Sequence, residues 1–184
     1  MKRLVQIAWL LAFSVFLGGC ETLSKSECAV ADWRGLGVQD GLQGRVDTAA
    51  DYYESCTKHG YSVDVNSYRA GRQEGLRQYC RYDNAVRVGL AGKSYLGVCA
   101  PNIDVDFRRL QSAGYRVYEA ERRLDKLKAE QRGLERDLSD KETPPAQKPK
   151  IRSRLAQLDG ELNDARDELG YARSKLDRLW DSYR

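Results

Sequence analysis

Leu124-Asp125-Lys126-Leu127-Lys128-Ala129-Glu130-Gln131-Arg132-Gly133-Leu134-Glu135-Arg136-Asp137-Leu138 sets its seam residues at alternating spacings of three and four, with charges between them. The spacing continues upstream through Leu110, Ala113, Val117 and Ala120. Downstream it resumes at Ile151, Leu155, Leu158, Leu162, Ala165, Leu169, Ala172, Leu176, Leu179 and Tyr183. A helix with that period carries one apolar stripe, so both stretches read as coiled coil. Between them lies Thr143-Pro144-Pro145-Ala146-Gln147-Lys148-Pro149, whose prolines remove donors and clash with the preceding turn. An antiparallel helical hairpin over 101–184, with its turn near 141–149, is therefore expected.

Folding about Pro144-Pro145 sets Leu138 against Ile151, Leu134 against Leu155, Leu127 against Leu162, Leu124 against Ala165, Val117 against Ala172 and Leu110 against Leu179. Each alanine then faces a larger residue, as a filled seam requires. Gln131, opposite Leu158, is the one polar break and would fix register at some loss of stability.

Upstream of Pro101 the composition changes. Residues 28–100 are rich in Gly and Tyr and contain an echo: Asp32-Trp33-Arg34-Gly35-Leu36-Gly37-Val38-Gln39-Asp40-Gly41-Leu42 against Asn66-Ser67-Tyr68-Arg69-Ala70-Gly71-Arg72-Gln73-Glu74-Gly75-Leu76. Asp32 and Asn66 are good N-cap residues, so each copy reads as a helix start. Glycines four apart fall on one helix face and let another backbone approach, at about 0.8–1.0 kcal/mol each relative to Ala. Either close helix packing or a ligand against bare backbone offsets that cost. Gly89-Leu90-Ala91-Gly92 is not a phosphate loop, because Arg87 stands where Gly92-Lys93-Ser94 would need its first glycine. His59, just before Gly60, marks a helix C-terminus. Tyr52, Tyr53, Tyr61, Tyr68, Tyr79, Tyr82 and Tyr95 read as half-buried packing residues with wet hydroxyls, or alternatively as a sugar-stacking surface.

The N-terminus has its own signature. Lys2 and Arg3 precede an apolar run from Leu4 to Phe16, and Leu17-Gly18-Gly19-Cys20 closes it. This order reads as a lipoprotein signal over 1–19, removed to leave Cys20 as the lipidated first residue and 20–27 as a tether. The run is too short to remain as a spanning helix. Glu21 in place of Asp directs such a lipoprotein to the outer membrane, facing the periplasm. Cys28, Cys56, Cys80 and Cys99 are then even in number in an oxidising compartment and read as two disulfides, with zinc ligation the alternative. Of the three pairings, Cys28 with Cys56 and Cys80 with Cys99 is preferred, each closing one local helical excursion.

Cys28-x-x-x-Asp32-Trp33-Arg34-x-x-Gly37-x-x-Asp40-Gly41, Tyr68-x-x-Gly71-Arg72-x-x-Gly75-Leu76-x-x-Tyr79-Cys80 and Gly89-x-x-Gly92-x-x-Tyr95-x-Gly97-Val98-Cys99 together resemble a family of Gram-negative lipoproteins classed only as a domain of unknown function. The resemblance covers roughly residues 20 to 115 and implies secretion, lipidation and paired cysteines. It brings no activity with it.

The fold expected is all-α: a small disulfide-stapled helical head over 28–100 followed by the hairpin. Removing Lys2 and Arg3 leaves 29 basic against 27 acidic side chains, a net of +2. Basic and acidic residues interleave from Arg116 to Arg184, which argues for a solvated helix surface and against nucleic acid. The expected function is a non-enzymatic, membrane-anchored module whose hairpin meets an envelope protein, with no cofactor or metal. The alternative is envelope-glycan binding or hydrolysis, with Asp40 and Glu74 at equivalent points of the echo as the paired carboxylates such chemistry needs.

Overall fold

A computed structural model describes residues 22–184. The expected signal over 1–19, Cys20 and Glu21 lie outside the described residues. Those described form only helices and connections: α1 Lys25–Ala29, α2 Trp33–Leu42, α3 Ala49–Thr57, α4 Val65–Tyr79, α5 Tyr82–Leu90, α6 Pro101–Ser139 and α7 Lys148–Asp181. The all-α expectation holds.

Local chemistry sets the helix ends. Asp32 caps α2, its Oδ1 accepting from the Gly35 N–H at 3.0 Å. The cap of α4 is Asp64 and not Asn66, because Asp64 Oδ1 takes the Ser67 N–H at 2.9 Å and starts the helix earlier. His59-Gly60 ends α3 as expected. Gly60 adopts φ 79°, and Tyr61 N–H returns to the Cys56 carbonyl at 3.1 Å, a closure that an L side chain at Gly60 would strain. Pro101 opens α6 and Pro149 lies in the first turn of α7, where the missing N–H has no intrahelical partner. The inter-helix break is thus 140–147, beginning before Thr143 and ending before Pro149.

The described chain divides into two compact units: 22–41 with 45–75, and 42–44 with 76–184. This division falls short of the compositional break at Pro101. Residues 76–100 pack with the base of the hairpin: Phe107 and Leu110, both fully buried, share a cluster with Tyr79, Ala85, Val88 and the Cys80–Cys99 bridge. Tyr79 stacks on Phe107 at 5.3 Å and Tyr95 meets the same ring at 4.6 Å.

The heptad seam is the core of α6 and α7. Val117, Ala120, Leu124, Leu127, Leu158, Leu162, Ala165, Leu169 and Leu176 form one buried cluster, with Ala113, Leu134 and Ala172 against it. Ion pairs run across the hairpin at matching heights: Glu121 with Arg173 at 2.7 Å, Arg123 with Glu168, and Glu130 with Arg154 at 2.7 Å. Arg123 adjoins Leu124, Glu168 lies one turn beyond Ala165, and Arg154 adjoins Leu155, so the helices are antiparallel near the expected register. Tyr183 departs from the seam: its ring packs edge-on to Tyr82 at 5.0 Å and its hydroxyl donates to Asp106 at 2.7 Å.

Candidate functional site

Of the residues singled out in the sequence, the cysteines are the simplest to place. Cys28 is bonded to Cys56 and Cys80 to Cys99. Among the described residues no cluster of His, Cys, Asp and Glu has the arrangement to hold a metal.

The echo glycines make a helix crossing. A Cβ on Gly37 would collide with the Tyr68 carbonyl and lie 2.8 Å from the Arg72 nitrogen, while one on Gly71 would collide with the Arg34 carbonyl. Each glycine therefore receives the backbone three residues before the other, which is what an antiparallel crossing with local two-fold character produces. Backbone occupies the bare face, so packing and not a ligand offsets the helical cost of these two glycines. The same geometry recurs in the second unit. A Cβ on Gly89 would collide with the Gln111 carbonyl, and one on Gly114 would lie 2.8 Å from that of Val86. Gly114 was missed in the sequence because no echo surrounds it; its signal was a lone glycine inside a strong helical period.

Asp40 and Glu74 flank the first crossing in different environments. Asp40 is only 3 % exposed, and its carboxylate accepts from Tyr52 OH at 3.0 Å, Tyr68 OH at 3.0 Å, Thr48 Oγ1 at 3.2 Å and Arg45 Nη1 at 3.3 Å. Glu74 is half-buried and accepts from Arg34 Nη2 at 2.9 Å. Each carboxylate thus has partners of its own, and Asp40 is enclosed as the centre of a structural network. Burial first, and then the hydrogen bond to Asp40, push the Tyr52 hydroxyl up to about 12. Burial raises Tyr68 as well.

The tyrosine hydroxyls are correspondingly less wet than expected. Tyr95 donates to Asp104 at 2.5 Å and accepts from the Cys99 N–H at 2.9 Å, tying the second disulfide to the first turn of α6. Burial, followed by that carboxylate, raises Tyr95 to about 12. Arg108 first and Tyr95 second hold the Asp104 carboxyl below its usual range. Tyr53 alone of the seven is exposed.

One groove stands open on the hairpin. About 790 Å³ in volume, it runs where the small residues Ala113 and Ala172 thin both helices, beside Leu179. Arg109, Arg116, Lys175 and Arg178 line it together with Glu119 and Glu168, and Glu168 is already paired with Arg123. Tyr171, 63 % exposed, stands at its edge with the Lys175 ammonium 5.9 Å from its ring centre. Four basic side chains thus outnumber two acidic ones around the apolar Ala113, Ala172 and Leu179.

No helix among the described residues is long and apolar enough to cross a membrane. No curated protein and no solved structure matches the chain. Residues 32–116, from the cap of α2 past the Gly89/Gly114 crossing into α6, match the family described as "Protein of unknown function (DUF2799)", the kind of family that the cysteine and glycine motifs resemble.

Proposed function

We propose that the chain is a non-enzymatic envelope lipoprotein, anchored through Cys20 in the outer membrane and facing the periplasm, whose 101–184 hairpin is an arm that holds an envelope protein. The observation that carries this reading is the order Lys2-Arg3, apolar run, Leu17-Gly18-Gly19-Cys20, followed by a mature chain whose four other cysteines are all paired. Disulfides persist in oxidising compartments, and such a signal leads there. Acylation of Cys20 by two or more chains, each methylene contributing roughly 0.8 kcal/mol, makes the attachment lasting. The arm is supported by the length of α6, 39 residues or about 58 Å at 1.5 Å per residue, and by the cationic groove beside Tyr171.

Two measurements test it. Cys20→Ser is expected to leave an unprocessed precursor without palmitate; labelling that survives the substitution removes the anchor. A photoreactive residue in place of Tyr171 is expected to capture one envelope protein in living cells. Captures scattered evenly over abundant envelope proteins would remove the arm.

A further inference from the structure

The described chain is folded into its first unit almost from the lipid-bearing residue. Thr22 N–H donates to Ser55 Oγ at 3.3 Å, and Leu23 packs on the cluster of Ala49, Tyr52 and Tyr68. Ser24 then opens α1 through a capping box with Glu27, and Cys28 is bonded to Cys56. The stretch 22–27 is therefore part of the head and not a tether, in contrast to the expectation from sequence. Between Cys20 and Thr22 a fully extended chain spans at most about 7 Å.

Beside this attachment lies a groove of about 320 Å³ whose apolar lining is Leu23, Val30, Ala31 and Leu36. Val30, at 82 % exposure, is the most exposed large apolar side chain among the described residues. The acids at its edge are engaged locally: Glu27 accepts from the Ser24 N–H at 2.7 Å and Asp32 from the Gly35 N–H at 3.0 Å. No basic side chain lines the groove, so anionic headgroups have no counter-charge here.

We propose that this face, from Leu23 through Val30 to Leu36, rests on the bilayer as a membrane-contact surface, with Val30 inserted among zwitterionic lipids. The inference depends on the lipidation of Cys20 proposed above. Given that anchor, a reach of about 7 Å is no more than about the depth of the headgroup layer, roughly 5–7 Å on each side, and it holds the head against the surface. An apolar side chain beside the attachment point then exchanges water for the acyl boundary, which is favourable in proportion to the area removed from water.

The test uses the full chain in its own envelope, with Val30→benzoylphenylalanine and cells labelled with either palmitate or radioactive phosphate. After illumination, the palmitate-labelled protein is expected to carry phospholipid crosslinked at position 30. Inserting ten Gly/Ser residues between Glu21 and Thr22 is expected to lower that crosslinking by about tenfold, as local concentration falls with tether length, and to leave palmitate incorporation unchanged. Palmitate present without phospholipid at position 30, or crosslinking indifferent to the insertion, overturns the membrane-contact surface and leaves the anchor standing. Absence of palmitate overturns the anchor itself, and the contact surface falls with it.

Discussion

Tyr68 stands three residues before Gly71 and donates to Asp40, three residues after Gly37, across 3.0 Å; on the other side of the same crossing Arg34, three before Gly37, donates to Glu74, three after Gly71, across 2.9 Å. The two bonds occupy equivalent places about a local two-fold axis and differ in burial. Asp40 lies inside, with three hydroxyls around it, whereas Arg34 is largely exposed and Glu74 partly so. The same spacing therefore yields a core network on one side and a surface ion pair on the other.

That difference sets the cost of breaking each bond. Asp40→Ala takes the carboxylate acceptor from the buried Tyr52 and Tyr68 hydroxyls, while Arg45, more than half exposed, turns to water; the loss is expected to be about 2–5 kcal/mol. Tyr68→Phe removes one bond to a charged acceptor, for about 1.5–3 kcal/mol. Glu74→Ala, at a solvent-screened pair, is expected to cost no more than about 1 kcal/mol. Urea melts of the mature chain check the order, and an equal loss at Asp40 and Glu74 would contradict the network.

Alkaline pH acts on this network through Tyr52 and on the separate Tyr95–Asp104 contact. Tyr52 and Tyr95 have folded-state values of about 12, above the unfolded value of 10.0. Above pH 10 the unfolded chain releases these protons while the folded chain retains them, so stability is full below pH 10 and falls as pH rises toward 12. Tyr52→Phe and Tyr95→Phe each remove one such group, and the decline measured by urea melts between pH 9 and 12 is expected to become shallower in each variant.

Glycines divide by what a Cβ would meet. Gly114→Ala pushes a methyl toward the Val86 carbonyl and the Leu90 nitrogen, and is expected to destabilise by about 1–3 kcal/mol despite the gain in helix propensity. Gly160→Ala and Gly170→Ala meet nothing within 4 Å in mid-helix, and each is expected to stabilise by up to about 1 kcal/mol. Thermal melts of the three variants should move to opposite sides of wild type.

The hairpin register has its own test. Ala165 is fully buried and Gln131 half-buried. Ala165→Trp is expected to overpack its layer by about 1–3 kcal/mol, whereas Gln131→Leu, exchanging a polar group for an apolar one at the seam, is expected to raise stability. A melting temperature that climbs with protein concentration would show chains pairing with one another in place of the intramolecular hairpin.

What the residues determined alone was whatever their neighbours along the chain could enforce. The three-and-four spacing placed both long helices, adjacent prolines placed the break, Asp32 placed one helix start and Gly60 one helix end, since each depends on hydrogen bonds or faces within a turn or two. The domain of unknown function was legible in its cysteine and glycine spacing, and the disulfide pairs followed from two local excursions. Tertiary structure decided the rest. Asp40 and Glu74 look equivalent in sequence, yet only the loop that brings Thr48 and Tyr52 over Asp40 makes one a buried hub and leaves the other at the surface. Gly114 meets Gly89, and Phe107 joins Tyr79 and Tyr95, across separations that no local period encodes. Burial is a property of which surfaces meet, and meeting is settled by the packing of distant segments against one another.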